Sequence, residues 1–133
     1  MSAAVVDTHV VVWYLADHQN LSPAARSAIS AAAAAGQPLS VPSICLVELV
    51  YLTERNRLVP AALQRLREAL GDPRGLLRLA PLDLPVTDAL VTIPRDAVPD
   101  MPDRIIAATA TALGVPLITR DARLRRLPIR TIW

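Results

Sequence analysis

Short apolar runs that end at a polar residue alternate along this chain with longer stretches of helical character. The runs at residues 3–6, 38–41 and 116–119 have the length and the branched side chains of buried strands. A helix is expected between Ser22, whose hydroxyl can cap the first turn, and Gly36. Strands that alternate with helices pair in parallel through right-handed crossovers. The sequence therefore predicts an α/β fold, a three-layer α/β/α sandwich with a central parallel sheet.

The remaining elements follow from the same patterns. Further strands are expected at residues 76–82 and 129–133. Further helices are expected at residues 10–16, 44–56, 58–70, 86–93 and 103–113, with Ser43 capping the second of these and Gly114 closing the last. Residues 94–102 contain three prolines and are expected to form a loop.

Length and composition exclude several classes of protein. The 133 residues can bury one core and are too few for two, so residues 1–133 are expected to form a single domain. All 14 basic residues are arginine, and the absence of lysine excludes a Walker A phosphate loop and Schiff-base chemistry. The net charge of +2 tolerates a polyanionic partner without requiring one.

The cellular compartment is suggested by two further features. Cys45 is the only cysteine, which rules out an internal disulfide and a zinc site built from several thiolates. The first apolar run lacks a preceding basic region and ends at Asp7, and the longest uncharged stretch is broken by prolines and serines. A cytoplasmic protein without a membrane segment is expected.

Two acids occur where a parallel sheet places its functional crevice, beyond the carboxyl ends of the strands, and a third begins a helix that leads to one of these strands. Asp7 and Asp121 each follow a predicted strand, and Asp103 opens the helix that leads to the second of these strands. Each could simply cap a helix, where a carboxylate contributes about 0.5 to 1 kcal/mol. Capping and function therefore both remain open for these three residues.

Glu48 is harder to explain by capping, because it lies in the middle of the apolar helical segment 44–52. An ionised carboxylate in such surroundings costs several kcal/mol unless a cation compensates it. The alternatives are an arginine partner, a helix face exposed at this position, or a metal ion. If Glu48 met the other three acids, their repulsion would call for a divalent cation, and oxygen ligands alone favour Mg²⁺ or Mn²⁺. Such ions activate water for attack on phosphodiesters.

Four motifs occur in an order that resembles PIN-domain ribonucleases of the VapC toxin type. They are Val5-Val6-Asp7-Thr8-His9, the isolated Glu48, the segment 103–110 and the segment 117–121. The resemblance runs from about residue 4 to the C-terminus. It implies a parallel sheet flanked by helices, usually in a homodimer, that hydrolyses RNA with Mg²⁺ (or Mn²⁺) and is held inactive by the tail of a cognate antitoxin.

The resemblance also implies roles for particular residues. Asp7, Glu48, Asp103 and Asp121 would form the metal-binding cluster, and Thr119 would lie beside it. The proline of the third motif comes one place later than in much of the family, which leaves Asp100 as either a metal ligand or a helix cap. The hypothesis is a metal-dependent endoribonuclease acting as a toxin. The alternative is a non-catalytic PIN-like dimer that binds RNA or protein.

Arginines and aromatic residues permit two interpretations each. The arginines of segments 55–78 and 120–130 could contact RNA phosphates, or could simply be the solubilising cations of a chain without lysine. Arg104 and Arg120 flank proposed ligands and are expected to steady the acids or a phosphate. His9 is expected at the surface. Core or dimer contacts are favoured over base stacking for three aromatic residues, Trp13, Tyr14 and Tyr51.

Overall fold

The sheet contains five strands, all of them parallel. A computed structural model describes residues 2–133. The strands are β1 (Ala4–Val6), β2 (Leu39–Pro42), β3 (Leu77–Ala80), β4 (Leu117–Ile118) and β5 (Thr131–Ile132), in the order β3-β2-β1-β4-β5. Val5 of the central strand faces Ser40 on one side and Leu117 on the other. The predicted central parallel sheet is therefore confirmed.

Seven helices in the described part of the chain connect these strands. They are α1 (Thr8–Leu15), α2 (Pro23–Ala34), α3 (Ser43–Glu54), α4 (Pro60–Gly71), α5 (Leu84–Leu90), α6 (Met101–Leu113) and α7 (Ala122–Arg125). All residues of β1, β2 and β4 are buried. Because successive strand residues point to opposite faces, both faces of the sheet are covered. The expected three-layer arrangement follows.

The core packs helices against these strands through large aliphatic side chains. Leu39, Leu49, Leu66, Ile106 and Leu117 are each 0 or 1% exposed. Full burial of such a side chain contributes roughly 1.5 to 3 kcal/mol. The strands and the helices that carry the polar residues described below are therefore fixed by a continuous hydrophobic core.

The strand order reverses at β1, the central strand, which places a crevice beyond the carboxyl ends of β1 and β4. The chain runs from β1 to β2 and β3 and then returns to β4 on the other side of β1. Polar loops diverge at such a reversal, so ligands of parallel sheets bind there, beyond the carboxyl ends of the strands. The residues that directly follow β1 and β4 lie at this point.

Several local predictions were wrong. Ser43 does not cap α3: its Oγ accepts a hydrogen bond from the Leu82 amide at 3.1 Å, and the N-cap position belongs to Pro42. The helix α6 begins at Met101 and is capped by Asp100, so its start precedes Asp103. The short helix α7 was not predicted. No helix among residues 2–133 is long and apolar enough to cross a membrane.

Candidate active site

A cavity of about 460 Å³ lies beyond the carboxyl ends of β1 and β4. Five carboxylates line it, contributed by four separate segments of the chain: Asp7, Glu48, Asp100, Asp103 and Asp121. The structure therefore brings together all four acids of the expected cluster, together with Asp100, which the sequence left open as a metal ligand or a helix cap. Such a concentration of negative charge in one cavity is unfavourable unless protons or cations compensate it.

Asp7 is the most buried of these acids, with 7% of its surface exposed. Its amide donates to the Ile118 carbonyl at 3.1 Å, which ties the end of β1 to the end of β4. Its Oδ1 accepts from the Thr8 amide at 2.7 Å, and its Oδ2 accepts from Thr119 Oγ1 at 2.6 Å. Burial raises the pKa of Asp7, and these hydrogen bonds oppose that shift only in part. Asp7 is thus held in one orientation.

Thr119 connects two of the acids. Its buried hydroxyl donates to Asp7 and accepts from the Asp121 amide at 3.0 Å. The Asp121 Oδ1 then accepts from the amides of Arg123 and Leu124, so this carboxylate caps α7. The capping interpretation of Asp121 is correct, and the same residue also lines the cavity.

Glu48 lies in the middle of α3 and is half-buried. Its Oε1 accepts from Thr8 Oγ1 at 2.6 Å, and no arginine among residues 2–133 forms an ion pair with it. Burial raises the pKa of Glu48, and the charges of Asp7 and Asp100 raise it further. The arginine partner considered from the sequence is therefore absent, and the carboxylate borders the cavity instead.

Thr8 contacts two of the acids, although the sequence did not predict it as a site residue. Its amide and its hydroxyl bind two different acids, Asp7 and Glu48, which lie 41 positions apart in the sequence. A hydroxyl residue directly after a strand-terminal aspartate was the available signal. The partner of that hydroxyl could not be identified without the packing of α1 against α3.

Asp100 caps the helix α6, whereas the Asp103 carboxylate lies in the cavity without a hydrogen-bond partner among the described residues. The Asp100 Oδ1 accepts from the Asp103 amide at 3.0 Å and caps α6. The Asp103 carboxylate accepts no hydrogen bond from any described residue. Partial burial, followed by the charges of Asp7, Asp100, Asp121 and Glu48, raises the pKa of Asp103 to about 7. Asp103 is thus the carboxylate in the cavity with the fewest restraints.

Oxygen donors of this kind are those that Mg²⁺ and Mn²⁺ prefer. The raised pKa values of three of the acids show that the cavity disfavours their charged forms. Within the described residues, however, no three His, Cys, Asp or Glu side chains are close enough together to hold a metal ion as they stand. The donor set fits a divalent cation in its chemistry, but binding requires side-chain movement or bridging waters.

Arg104 and Arg120, the two arginines beside proposed ligands, differ in their contacts. Arg104 donates from Nε to the Ile93 carbonyl at 2.8 Å and from Nη2 to the Leu90 carbonyl at 3.1 Å. It therefore ties α6 to the end of α5 and does not steady an acid. Arg120 lines the cavity, and its guanidinium lies 5.6 Å from the centroid of the Trp13 ring.

The aromatic residues and His9 also differ from one another. Trp13 is half-buried and lines the cavity, Tyr14 is half-buried, and Tyr51 is 57% exposed and so does not belong to the core. His9 is exposed, as predicted, although it borders the same cavity. Cys45 is fully buried, with Sγ 4.0 Å from the Val6 carbonyl oxygen, and burial raises the pKa of its thiol.

A parallel sheet with a carboxylate-lined cavity at its switch point defines a class of α/β domains with an acidic site, and comparison identifies the family. A model of the PIN domain matches residues 4–129. The chain belongs to the PIN-domain family. Ribonuclease VapC22 of Mycobacterium tuberculosis (strain ATCC 25618 / H37Rv) is 35% identical to it over 130 residues, which cover 94% of this chain and 92% of that protein.

Solved structures share the fold. The structure of VapBC2 from Rickettsia felis bound to a DNA fragment from their promoter matches with a TM-score of 0.70 at 16% identity, covering 96% of each chain. DNA-bound VapBC from Salmonella typhimurium matches with a TM-score of 0.68 at 21% identity, covering 98% of this chain and 97% of that one. At these identities the likeness shows a common architecture alone.

Proposed function

We propose that the chain is a divalent-cation-dependent endoribonuclease and the toxin of a toxin–antitoxin pair. The observation that carries the proposal is the convergence of Asp7, Glu48, Asp103 and Asp121 on one cavity from four segments of the chain. A relative with 35% identity is named a ribonuclease, and solved structures of the same fold are VapBC complexes. Residues 1–133 are proposed to act as a single domain.

The four carboxylates would hold Mg²⁺ or Mn²⁺. When bound, the cation supplies a water of lowered pKa and neutralises charge on phosphoryl oxygens. Thr119 and the Thr8 amide fix Asp7, and the Thr8 hydroxyl orients Glu48. Asp103, whose pKa lies at about 7 without a cation, is partly protonated at neutral pH and must give up that proton to bind one.

An antitoxin segment is proposed to bind in an apolar groove next to the acidic cavity. The groove encloses about 380 Å³, and its apolar lining includes Val47, Tyr51 and Met101. These three side chains are 48%, 57% and 64% exposed and adjoin one groove, and a contiguous exposed apolar patch is typical of a protein-binding surface. Glu48 and His9 line both spaces, so a segment in the groove would also reach the acids. A homodimer is proposed from the family resemblance, and sedimentation velocity would test it.

Cleavage of total RNA in Mg²⁺ and in EDTA tests the reaction. The wild-type protein should cut RNA in Mg²⁺ only, and Asp7→Asn should lower the rate by about 100-fold or more, the scale of losing a key electrostatic group. Asp88→Asn is the matched control, because Asp88 is exposed on α5 outside the cavity. Cleavage that resists EDTA, or full activity of Asp7→Asn, would overturn the proposal. RNA binding without cleavage would support the non-catalytic alternative.

A further inference from the structure

Arg120 occupies an unusual position for a cation. It is the one arginine among the described residues that lines the acidic cavity, where it faces five carboxylates. Nevertheless, it forms no ion pair with any of them: the one ion pair found between residues 2 and 133 joins Arg26 to Asp17. The Arg120 guanidinium also donates no hydrogen bond to a described group, whereas Arg104 uses its donors on two backbone carbonyls.

Two restraints keep Arg120 where it is. Its neighbours in the chain are fixed, because the Thr119 hydroxyl bonds to Asp7 and the Asp121 carboxylate caps α7. Its guanidinium lies over the ring of Trp13 at 5.6 Å. Trp13 in turn packs against Trp133, with ring centroids 5.9 Å apart, and against His9 at 5.6 Å. An aromatic wall therefore holds the arginine at the rim of the cavity.

A cation over an aromatic ring is attracted to the ring without using its N–H donors, and the Arg120 guanidinium donates to no described group. The donors of Arg120 therefore remain available while the indole holds the group. A planar fork of donors matches the oxygens of a phosphate. Five carboxylates repel a phosphate, and a cationic donor at the rim of the cavity offsets part of that repulsion whether or not the acids hold a cation.

We propose that Arg120 binds a phosphate group of the RNA backbone and that Trp13 is its positioning residue. The proposal rests on the ribonuclease function proposed above. It divides the cavity into two parts, one in which carboxylates take a cation and one in which the guanidinium takes an anion. The substrate phosphate would lie between them.

The first test measures binding of a short, labelled, mixed-sequence single-stranded RNA in EDTA over a range of salt concentrations. Arg120→Ala should weaken binding about 10- to 100-fold, the scale of a charged hydrogen bond. It should also reduce the slope of log affinity against log salt by about 0.7, the value for one contact to a single strand. Arg120→Lys should restore the slope but only part of the affinity, because it keeps the charge and loses the fork.

Arg74→Ala is the matched control. Arg74 is exposed and precedes β3, so it lies at the amino ends of the strands, away from the cavity at their carboxyl ends. Its loss should leave the RNA affinity and the salt slope close to those of wild type. Arg120 is itself exposed, so Arg120→Ala is expected to fold. Equal affinity and slope for Arg120→Ala and wild type would overturn the proposal.

The role of Trp13 is tested by a double-mutant cycle. If Trp13 acts through Arg120, Trp13→Leu weakens RNA binding alone, but adds little to Arg120→Ala in the double variant. If instead the fold-losses of RNA affinity caused by the two single substitutions multiply in the double variant, Trp13 is not the positioning residue of Arg120. If Trp13→Leu fails to fold, as its unfolding curve would show, Trp13→Met, which fills more of the space without an aromatic face, replaces it in the cycle.

Cleavage in Mg²⁺ separates this proposal from the function on which it rests. Arg120→Ala should lower kcat/KM chiefly through KM, while Asp7→Asn should lower the cleavage rate about 100-fold or more. An inactive Asp7→Asn together with an unaffected Arg120→Ala would overturn the phosphate contact alone. A wild-type protein that neither binds nor cleaves RNA would overturn both.

Discussion

Replacing Asp103 with asparagine should stabilise the cation-free protein at alkaline pH. Asp103 shares its cavity with four other carboxylates, and its pKa rises from 3.8 to about 7 on folding. A carboxyl with a raised folded pKa favours the folded state below its unfolded pKa, and that contribution is lost as pH rises through the folded value. The folded state should therefore lose stability progressively as the pH rises from about 4 to about 7, and the loss persists at higher pH.

The expected change in the free energy of unfolding follows from the pKa shift of Asp103. Taken in full, the difference in pKa corresponds to about 4 kcal/mol. Asp103 is only partly buried, and solvent screening reduces the expected effect to about 1 to 2 kcal/mol. Asparagine is nearly isosteric and cannot ionise. Because the Asp103 carboxylate accepts no hydrogen bond from a described residue, the exchange should cost little at low pH.

Urea unfolding in EDTA measures this effect. Asp103→Asn should match wild type at about pH 4.5 and exceed it by about 1 to 2 kcal/mol at about pH 8. Asp88→Asn, outside the cavity, should show no such pH-dependent difference. Excess Mg²⁺ should stabilise wild type more than Asp103→Asn, because cation binding to the folded state adds to its stability. An Asp103→Asn protein no more stable than wild type at about pH 8 would refute the reasoning.

Two other substitutions have distinct expected outcomes. Thr8→Val removes the 2.6 Å hydrogen bond to Glu48 and should weaken Mn²⁺ binding, measured by calorimetry, about tenfold. Thr111→Val, on the exposed side of α6, should leave the Mn²⁺ affinity unchanged. Equal Mn²⁺ affinities of Thr8→Val and wild type would contradict the orienting role of Thr8. Arg104→Ala removes two hydrogen bonds to the end of α5 and should lower the unfolding free energy by about 1 to 3 kcal/mol in urea, with the salt dependence of RNA binding unchanged. Unchanged stability would show that this link is not structural.

The sheet was predictable because its signals are local. Each buried strand is a short apolar run, and Ser22 with Pro23 marks the start of α2 within two residues. The helix α7 was missed because four residues with two arginines have no periodicity. Ser43 was assigned a local cap, but its partner is the Leu82 amide, 39 positions away, and such a contact leaves no trace in the local pattern.

The site was predictable in its acids and in Thr119, which the family resemblance places beside them, but not in Thr8, which holds Asp7 and Glu48. Asp7 and Asp121 stood out because each follows a predicted strand, Glu48 because it lies within an apolar helix, and Asp103 because it was expected to open a helix. Arg104 and Arg120 looked alike in the sequence, since each lies beside a proposed ligand. Only the tertiary structure separates them: Arg104 donates to a carbonyl at the end of α5, whereas the Arg120 guanidinium lies 5.6 Å from the Trp13 ring centroid. Side-chain partners distant in sequence depend on tertiary structure, which one sequence does not encode locally.

Calorimetric titration of Mn²⁺ into the wild-type protein and Asp103→Asn tests most directly whether the acidic cavity is a cation site. Titration near neutral pH in two buffers of different ionisation enthalpy counts the protons released. We expect wild type to bind Mn²⁺ and release protons, because the pKa of Asp103 is about 7 without a cation. Asp103→Asn should bind at least about tenfold more weakly and release fewer protons. No Mn²⁺ binding to wild type, or identical titrations of the two proteins, would contradict the account.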